Sequence, residues 1–430
     1  MSIQVYKGNI ISSESYEKLH VIPDGYIVVE DGIIREVSDS LNPEYKNCEL
    51  KDFKDALIIP AFSDLHMHAS QYPQRGIGMD CLLFDWLNNY TFPQESKFGN
   101  IDYARSIYAR LIRDFISHGS FHLSLFTTIH YDACDLLFRM LKESGLYAYT
   151  GLVNMDMNSP DYYVDKTEDS LEKTERFLFE HIGDDRVKPI LTPRFAPTCS
   201  KKLMEGLGKL AEKYDVGVQT HLVESKAEAA WAKELYPECE SDGQIYESCG
   251  LLQGSGPKIF AHVIFPTAIE ERILKRYDGV SIHCPDATSN VTAGIMPVSQ
   301  MHEKGLKIAL GSDVGGGHFL GIYRQVARAT QISKMKEFYE EDCKRIRLAN
   351  AFYMATVAGA SVFEKAGKLE KGFRFNALVL ENMLDKEYET SLEDALERFC
   401  YIGDERNIKE RYINGNLIDP EEVYSRLLKM

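Results

Sequence analysis

The chain has 430 residues, with 49 Lys and Arg against 65 Asp and Glu, and so a formal net charge of −16. That acidic balance excludes the basic face that a nucleic acid or an anionic membrane needs. A 44% hydrophobic and 27% charged composition supplies both a core and a solvated surface, which excludes a disordered chain. No run approaches the ~20 apolar residues of a membrane span. The opening MSIQVYKGNIISSES lacks the basic-then-apolar order of a secretory signal. Nine Cys without a C-x-x-C pair predict buried thiols in a reducing cytoplasm, not a disulfide framework or a Cys-rich zinc site.

Residues 1–58 read as short strands. IQVYKGNII, YIVVEDGIIREV and CELKD are rich in Val, Ile and Tyr, and Asp31-Gly32 signals a hairpin. Eight apolar runs follow, beginning at Ala56, Phe121, Leu146, Val187, Val216, Lys258, Val280 and Lys307. Amphipathic stretches such as IDYARSIYARLIRDFISH and KLMEGLGKLAEKY separate them, with Gly at several ends. Eight strand–helix units in order predict a (β/α)8 barrel. A doubly wound open sheet would carry a Gly-rich phosphate loop after its first strand, and none is there. Strand character returns in ALVLE and in RYINGNLI, with its Asn414-Gly415 turn. The predicted fold is therefore α/β: a (β/α)8 TIM-like barrel over 59–370, with a small β-sandwich domain from both termini, 1–58 and 371–430. The C-terminal part of that domain carries a helical insert.

Barrel active sites lie at the C-terminal ends of the strands, so the residues there carry the functional signal. The first run ends in SDLHMHASQ, where His66 and His68 are two apart and point to the same side of a strand. Two imidazoles so placed can grip one metal. The fifth run ends in THLVES, giving His221 and then Glu224 at the turn. The sixth contains His262, and the eighth ends in GSDVGGG with Asp313. A lone His on an apolar strand is usually a core residue. Burying this whole set at one end of the barrel would cost several kcal/mol per group unless the groups were paired or metal-bound.

The order H-x-H, H, H, D on strands one, five, six and eight resembles the metal-dependent amidohydrolase superfamily. Its binuclear members also carry a bridging carboxylated Lys at the end of strand four. Here Lys188 stands at the start of VKPILTPRF, which implies a mononuclear site. A narrower resemblance is to the guanine deaminase family. It is carried by HASQY, DCLLFDWLNNYTFP, TPRF, HLVES, AHV, SIHCP, GSDVGGG and GDERNI, in that order, from about Ile59 to Ile418. Ala287, Thr288 and His318 depart from the family pattern in the loops after strands seven and eight.

The resemblance implies one divalent metal ion per chain, zinc or iron, held by His66, His68, His221 and Asp313. It implies catalytic roles for His262 and Asp313 in orienting a water that attacks guanine C2, and for Glu224 in shuttling protons. Substrate contacts would come from Arg194 to O6, Gln71 to a ring nitrogen, Phe195 against the base and Trp86 closing the pocket. Arg194 as a plain salt bridge, and Phe195 and Trp86 as core packing, remain open at this point. The implied partners are a small purine and a second copy in a homodimer, with no nucleic acid and no membrane. Rivals are another ring aminohydrolase or chlorohydrolase acting on cytosine, a pterin or a triazine, and a non-catalytic barrel with damaged ligands.

Overall fold

Alternating Val, Ile and Tyr keep the first sixty residues extended. In the computed structural model, which describes residues 3–384 and 390–430, they form β1 (Ile3–Ser15), β2 (Lys18–Glu30), β3 (Ile33–Ser38) and β4 (Glu49–Pro60). Asp31 and Gly32 take positive φ of 50° and 79° and turn β2 into β3, as a two-residue hairpin requires. The C-terminal strands β15 (Ala377–Leu380), β16 (Ile408–Ile413) and β17 (Asn416–Leu417) join the same sheet, in the order β17-β16-β15-β4-β1-β2-β3. Tyr6, Ile10, Ile27, Ile58, Phe375 and Tyr412 make its core, with the Tyr6 and Phe375 rings stacked at 4.5 Å.

The barrel strands are β5 (Phe62–His68), β6 (Ser120–Phe126), β7 (Tyr147–Gly151), β9 (Val187–Pro189), β11 (Val218–Leu222), β12 (Lys258–His262), β13 (Val280–His283) and β14 (Lys307–Leu310). All their pairings are parallel, in two sets of four. The short pieces β8 (Val153–Asn154) and β10 (Thr192–Pro193) pair above β7 and β9. Two junctions close the ring: the Gln219 N–H donates to Leu191 O at 2.9 Å, and the Asp313 N–H donates to His66 O at 2.8 Å. The second of these places strands eight and one edge to edge at the functional residues.

One boundary differs from the sequence reading. The run beginning at Ala56 finishes β4 of the small sheet, and barrel strand one begins at Phe62. ALIIPAF looks like one strand because it is buried from Leu57 onward as it passes from one sheet to the other. At the crossing, the Ala61 N–H donates to Asn376 O and the Phe62 N–H to Gly119 O.

The helix Ile101–His118 shows why the amphipathic stretches fold as they do. Asn100 caps it, accepting from the N–H groups of Asp102 and Tyr103 at 3.0 and 3.1 Å. Ile107, Leu111 and Phe115 face the barrel, each fully or nearly buried and each contributing about 2 kcal/mol. It stops at Gly119, whose φ of 77° favours glycine. A Cβ there would stand 2.4 Å from Leu378 Cδ1, so the helix end also packs on β15. Arg411 from β16 donates to Ser117 O at 2.7 Å and to Ile116 O at 3.0 Å, tying the small sheet to this helix end. The GDERNI loop belongs to that junction: Asp404 caps its turn and Glu405 O accepts from Arg411 at 2.9 Å. Among the described residues no helix is long and apolar enough to cross a membrane.

Candidate active site

Strand alternation brings His66 and His68 to one side of the barrel mouth, and their neighbours converge on them. His66 Nε2 lies 3.2 Å from Asp313 Oδ1, and His68 Nε2 lies 3.6 Å from the same oxygen. His68 Nε2 and His221 Nε2 face each other at 3.2 Å. His262 Nε2 stands 3.8 Å from Asp313 Oδ2 and 3.7 Å from Glu224 Oε2. Two overlapping groups, His66 with His68 and His221, and His66 with His262 and Asp313, keep their ligand atoms within 4.8 Å of one another. The backbone bends sharply to present them: Val223, His262, Val263 and Asp313 all have φ between 45° and 74°. Such positions cost ~1–3 kcal/mol each and cluster at functional sites.

The electrostatics of this cluster suit a cation. Burial first, and the neighbouring positive groups second, hold all four imidazoles neutral; His66 is pushed down to about 3. Burial also raises Asp313 well above the usual carboxylate range, with the Arg194 guanidinium opposing it. His221 Nδ1 donates to Arg194 O at 2.6 Å, which leaves its Nε2 lone pair directed into the cluster. His66 Nε2 is buried without a hydrogen-bond partner. Converging imidazole lone pairs beside a buried carboxylate are the donor set of a zinc or iron site, so these residues fit a divalent metal. Lys188 is on β9 at the far end of strand four and offers no ligand here.

Asp64, two residues before His66, escaped the sequence reading. Its Oδ1 accepts from the Ser312 N–H at 2.9 Å and its Oδ2 from Ser312 Oγ at 2.5 Å. It thereby staples strand one to the residue preceding Asp313. Burial pushes its pKa up to about 7 against those hydrogen bonds.

Beside the cluster lies a cavity lined by His68, Gln71, Trp86, Arg194, Phe195, His221, Glu224, Glu228, His262 and Asp313 with Leu83, Leu87, Val291 and Gly316. One wall is a hydrogen-bonded unit. Glu95 Oε1 accepts from Gln71 Nε2 at 2.7 Å, and Glu95 Oε2 accepts from Arg194 Nη1 at 2.7 Å. Gln71 Oε1 in turn accepts from the Gly315 N–H at 3.2 Å. All three side chains are buried. Arg194 is thus both an ion-pair partner and part of the pocket wall. The amide oxygen of Gln71 is engaged, so what Gln71 and Arg194 still offer the cavity is N–H donors.

The roof comes from the stretch between strands one and two. Leu83–Trp86, a widened turn over Leu87–Thr91, and Phe92–Glu95 form an irregular helical run. Trp86 Nε1 donates to Ile77 O at 3.1 Å, which fixes the indole, and the Phe84 ring meets Trp231 edge-on at 5.6 Å. Burial raises Glu224 to about 8, with Asp313 adding to the rise and Arg194 opposing it.

Ala287, Thr288 and His318 lie behind the wall and not among the lining residues. Thr288 Oγ1 donates to Cys284 O at 3.1 Å. His318 Nδ1 sits 2.9 Å from Asp286 Oδ2, and Asn290 Nδ2 donates to Gly316 O at 2.8 Å, so the loops after strands seven and eight are laced together. His130 packs against Gly99 and the Tyr163 ring, outside the lining. His283, on β13, is buried and held down to about 3 by burial.

Comparison with known proteins follows the same lines. The amidohydrolase family model matches residues 57–418. Guanine deaminase from Dictyostelium discoideum is 32% identical over 97% of this chain and 98% of its own length. Guanine deaminase from Homo sapiens is 31% identical over 97% of this chain and 96% of its own. The crystal structure of guanine deaminase from C. acetobutylicum, with bound guanine in the active site, superposes with a TM-score of 0.94 at 43% identity, covering 97% of this chain and all of that one. A triazine hydrolase, at 15% identity and a TM-score of 0.84, shares the fold.

Proposed function

The chain belongs to the amidohydrolase family, and from that premise we propose that it hydrolyses guanine to xanthine and ammonia. One observation carries the reading. The His/Asp cluster and the donors Gln71 and Arg194, both held by Glu95, bound the same cavity. Guanine presents O6 and N7 acceptors on one edge, and an arginine fork suits them. Adenine presents an amino donor where guanine has O6, and so meets the Arg194 donors with a donor of its own.

The family is metal-dependent, and in our reading His66, His68, His221 and Asp313 hold one divalent ion, zinc first and iron second. When bound, such an ion supplies Lewis acidity that draws the pKa of a water from ~15.7 towards 7. His262 Nε2 and Asp313 Oδ2 would orient the attacking water, and Asp313 would take up its first proton. Glu224 would deliver its proton to guanine N3 as oxygen adds to C2, take the remaining proton of the added hydroxyl and pass it to the amine, whose C–N bond breaks as the C2 carbonyl forms; the proton taken up from the water then returns to Glu224. Its burial keeps it protonated to near neutral pH, which suits a group that must give a proton before it takes one. Arg194 and Gln71 hold the base by O6 and a ring nitrogen. Phe195 lies against its face, and Trp86 with Leu83 and Leu87 excludes water. A cytoplasmic setting, supported by nine thiols outside any disulfide, a place in purine breakdown and a homodimeric state complete the proposal.

Purified protein is expected to release ammonia from guanine and form xanthine, with adenine, cytosine, a pterin and a triazine inert. Robust turnover of one of these rings with none of guanine overturns the specificity. Metal analysis is expected to give about one ion per chain. Dialysis against a chelator should abolish turnover, and added zinc or iron should restore it. Two well-occupied sites per chain, or turnover indifferent to the chelator, overturns the mononuclear reading.

A further inference from the structure

The turn that carries Glu224 is built around two buried acids. Val223 is β-branched and sits at φ 45°, a conformation it does not adopt unaided. The next two N–H groups, of Glu224 and Ser225, both donate to Glu228 Oε2, at 2.9 and 3.3 Å. Glu228 is the third residue of the helix Lys226–Leu235, and its own N–H donates to Ser225 Oγ at 3.0 Å, which closes a reciprocal cap.

An ordinary cap of this kind is exposed, whereas Glu228 is only 1% exposed, lines the cavity, and has an Oε1 with no partner. Behind it stands Asp242, the first residue of the helix Asp242–Ser248 and equally buried. Burial first, and the Asp242 charge second, hold the Glu228 carboxyl well above its ordinary range, and Asp242 Oδ2 is likewise buried and unpartnered. The groups facing the pair are Glu224, Glu270 and Tyr246, with no cation among them. Two ionised carboxylates in such a place would suffer both desolvation and mutual repulsion. One proton between them removes a charge and turns the two orphan oxygens into a hydrogen bond.

We propose that Glu228 is a positioning residue for the proton carrier: it donates a shared proton from Oε1 to Asp242 and clamps the Glu224 and Ser225 N–H groups at Oε2. The clamp fixes the backbone from which Glu224 reaches the cavity. This rests on the reading of Glu224 given above. Glutamine reproduces both halves of the arrangement, with its carbonyl accepting the two N–H groups and its amide donating to Asp242. Aspartate keeps the acid but shortens the arm by one carbon, and cannot hold both ends.

The experiment compares parent, Glu228→Gln and Glu228→Asp in kcat, KM and metal content, with infrared difference spectra of the same samples. Glu228→Gln is expected to keep the parent's kcat. Glu228→Asp is expected to lose about 100-fold in kcat, with KM and metal content unchanged. A packing role alone would lower stability and leave kcat intact. One buried protonated-carboxyl stretch more than Glu224 supplies is expected in the parent, and the parent-minus-Glu228→Gln difference spectrum should show the loss of that one band. Parent-like kcat in Glu228→Asp, equal losses in both variants, or an unchanged infrared band each overturns the proposal. If the parent leaves guanine untouched, the functional reading fails, while the infrared comparison still decides the shared proton. The same holds if Glu228→Asp does not fold.

Discussion

Glu224→Gln is expected to bind metal and guanine as the parent does and to lose ~10²- to 10⁴-fold in kcat, the worth of a positioned acid–base group. Glutamine fills the same volume, so the cavity wall and the 3.7 Å approach to His262 Nε2 keep their shape. What disappears is a proton that can leave and return. The acid sits among the groups that set its affinity: burial and Asp313 raise it to about 8, and Arg194 restrains the rise. An amide has no comparable state anywhere near neutral pH. Steady-state kinetics on guanine, with metal content measured on the same preparations, check the prediction. Turnover within tenfold of the parent would remove Glu224 from proton transfer and leave it as cavity lining.

The legible parts of this molecule are those that follow from periodicity. The eight apolar runs could be counted because each barrel strand is buried on both faces. His66, His68, His221, His262 and Asp313 could be collected because a barrel gathers its strand ends at one mouth, whatever their distance in sequence. The start of strand one was misplaced because nothing polar marks the crossing at Ala61 between two buried sheets. Glu95 was missed for the opposite reason. In FPQESK it reads as the polar face of a surface helix, and only the folding of the Leu83–Glu95 stretch back over the mouth buries it between Gln71 and Arg194. Asp64 carries no signal beyond its place beside the H-x-H pair, since its partner Ser312 is 248 residues away. For Glu228 a signal existed, the S-x-x-E pattern from Ser225, but that pattern announces a helix start and not a buried clamp.

These misses share a physical cause. Each of the three acids works by holding something else: a strand, a turn, or a pair of donors. Period and spacing report which face a side chain takes. They do not report a partner supplied by a distant segment. Sequence therefore reads the groups that touch a ligand more readily than the groups that orient them. A resemblance carried by motifs has the same bias, because HASQY and TPRF contain the donors Gln71 and Arg194 but not the acid that aims them.

That acid gives the second large effect. Glu95→Gln is expected to raise KM for guanine by about 100-fold and to destabilise the fold by ~3–5 kcal/mol. Both consequences follow from one exchange. Glu95 accepts from Gln71 with one oxygen and from Arg194 with the other. Glutamine must turn its amide nitrogen toward one of these donors, so a donor faces a donor inside the protein. In both orientations the buried guanidinium loses its counter-charge, and if the amide nitrogen faces Arg194 it also meets a donor there. If it faces Gln71, that side chain swings and gives up the Gly315 N–H as well. Either way the donor edge offered to O6 and the ring nitrogen is no longer held. Removing the stranded charge should recover part of the stability, so Glu95→Gln with Arg194→Met is expected to cost less than the sum of the two single changes, by at least ~1.5 kcal/mol. It should not recover guanine binding, because Met offers no donor. Denaturant unfolding of the three variants and guanine kinetics on each decide between a specificity role and a structural one. A Glu95→Gln variant that loses stability and keeps the parent's KM would leave Glu95 a brace for the roof and nothing more.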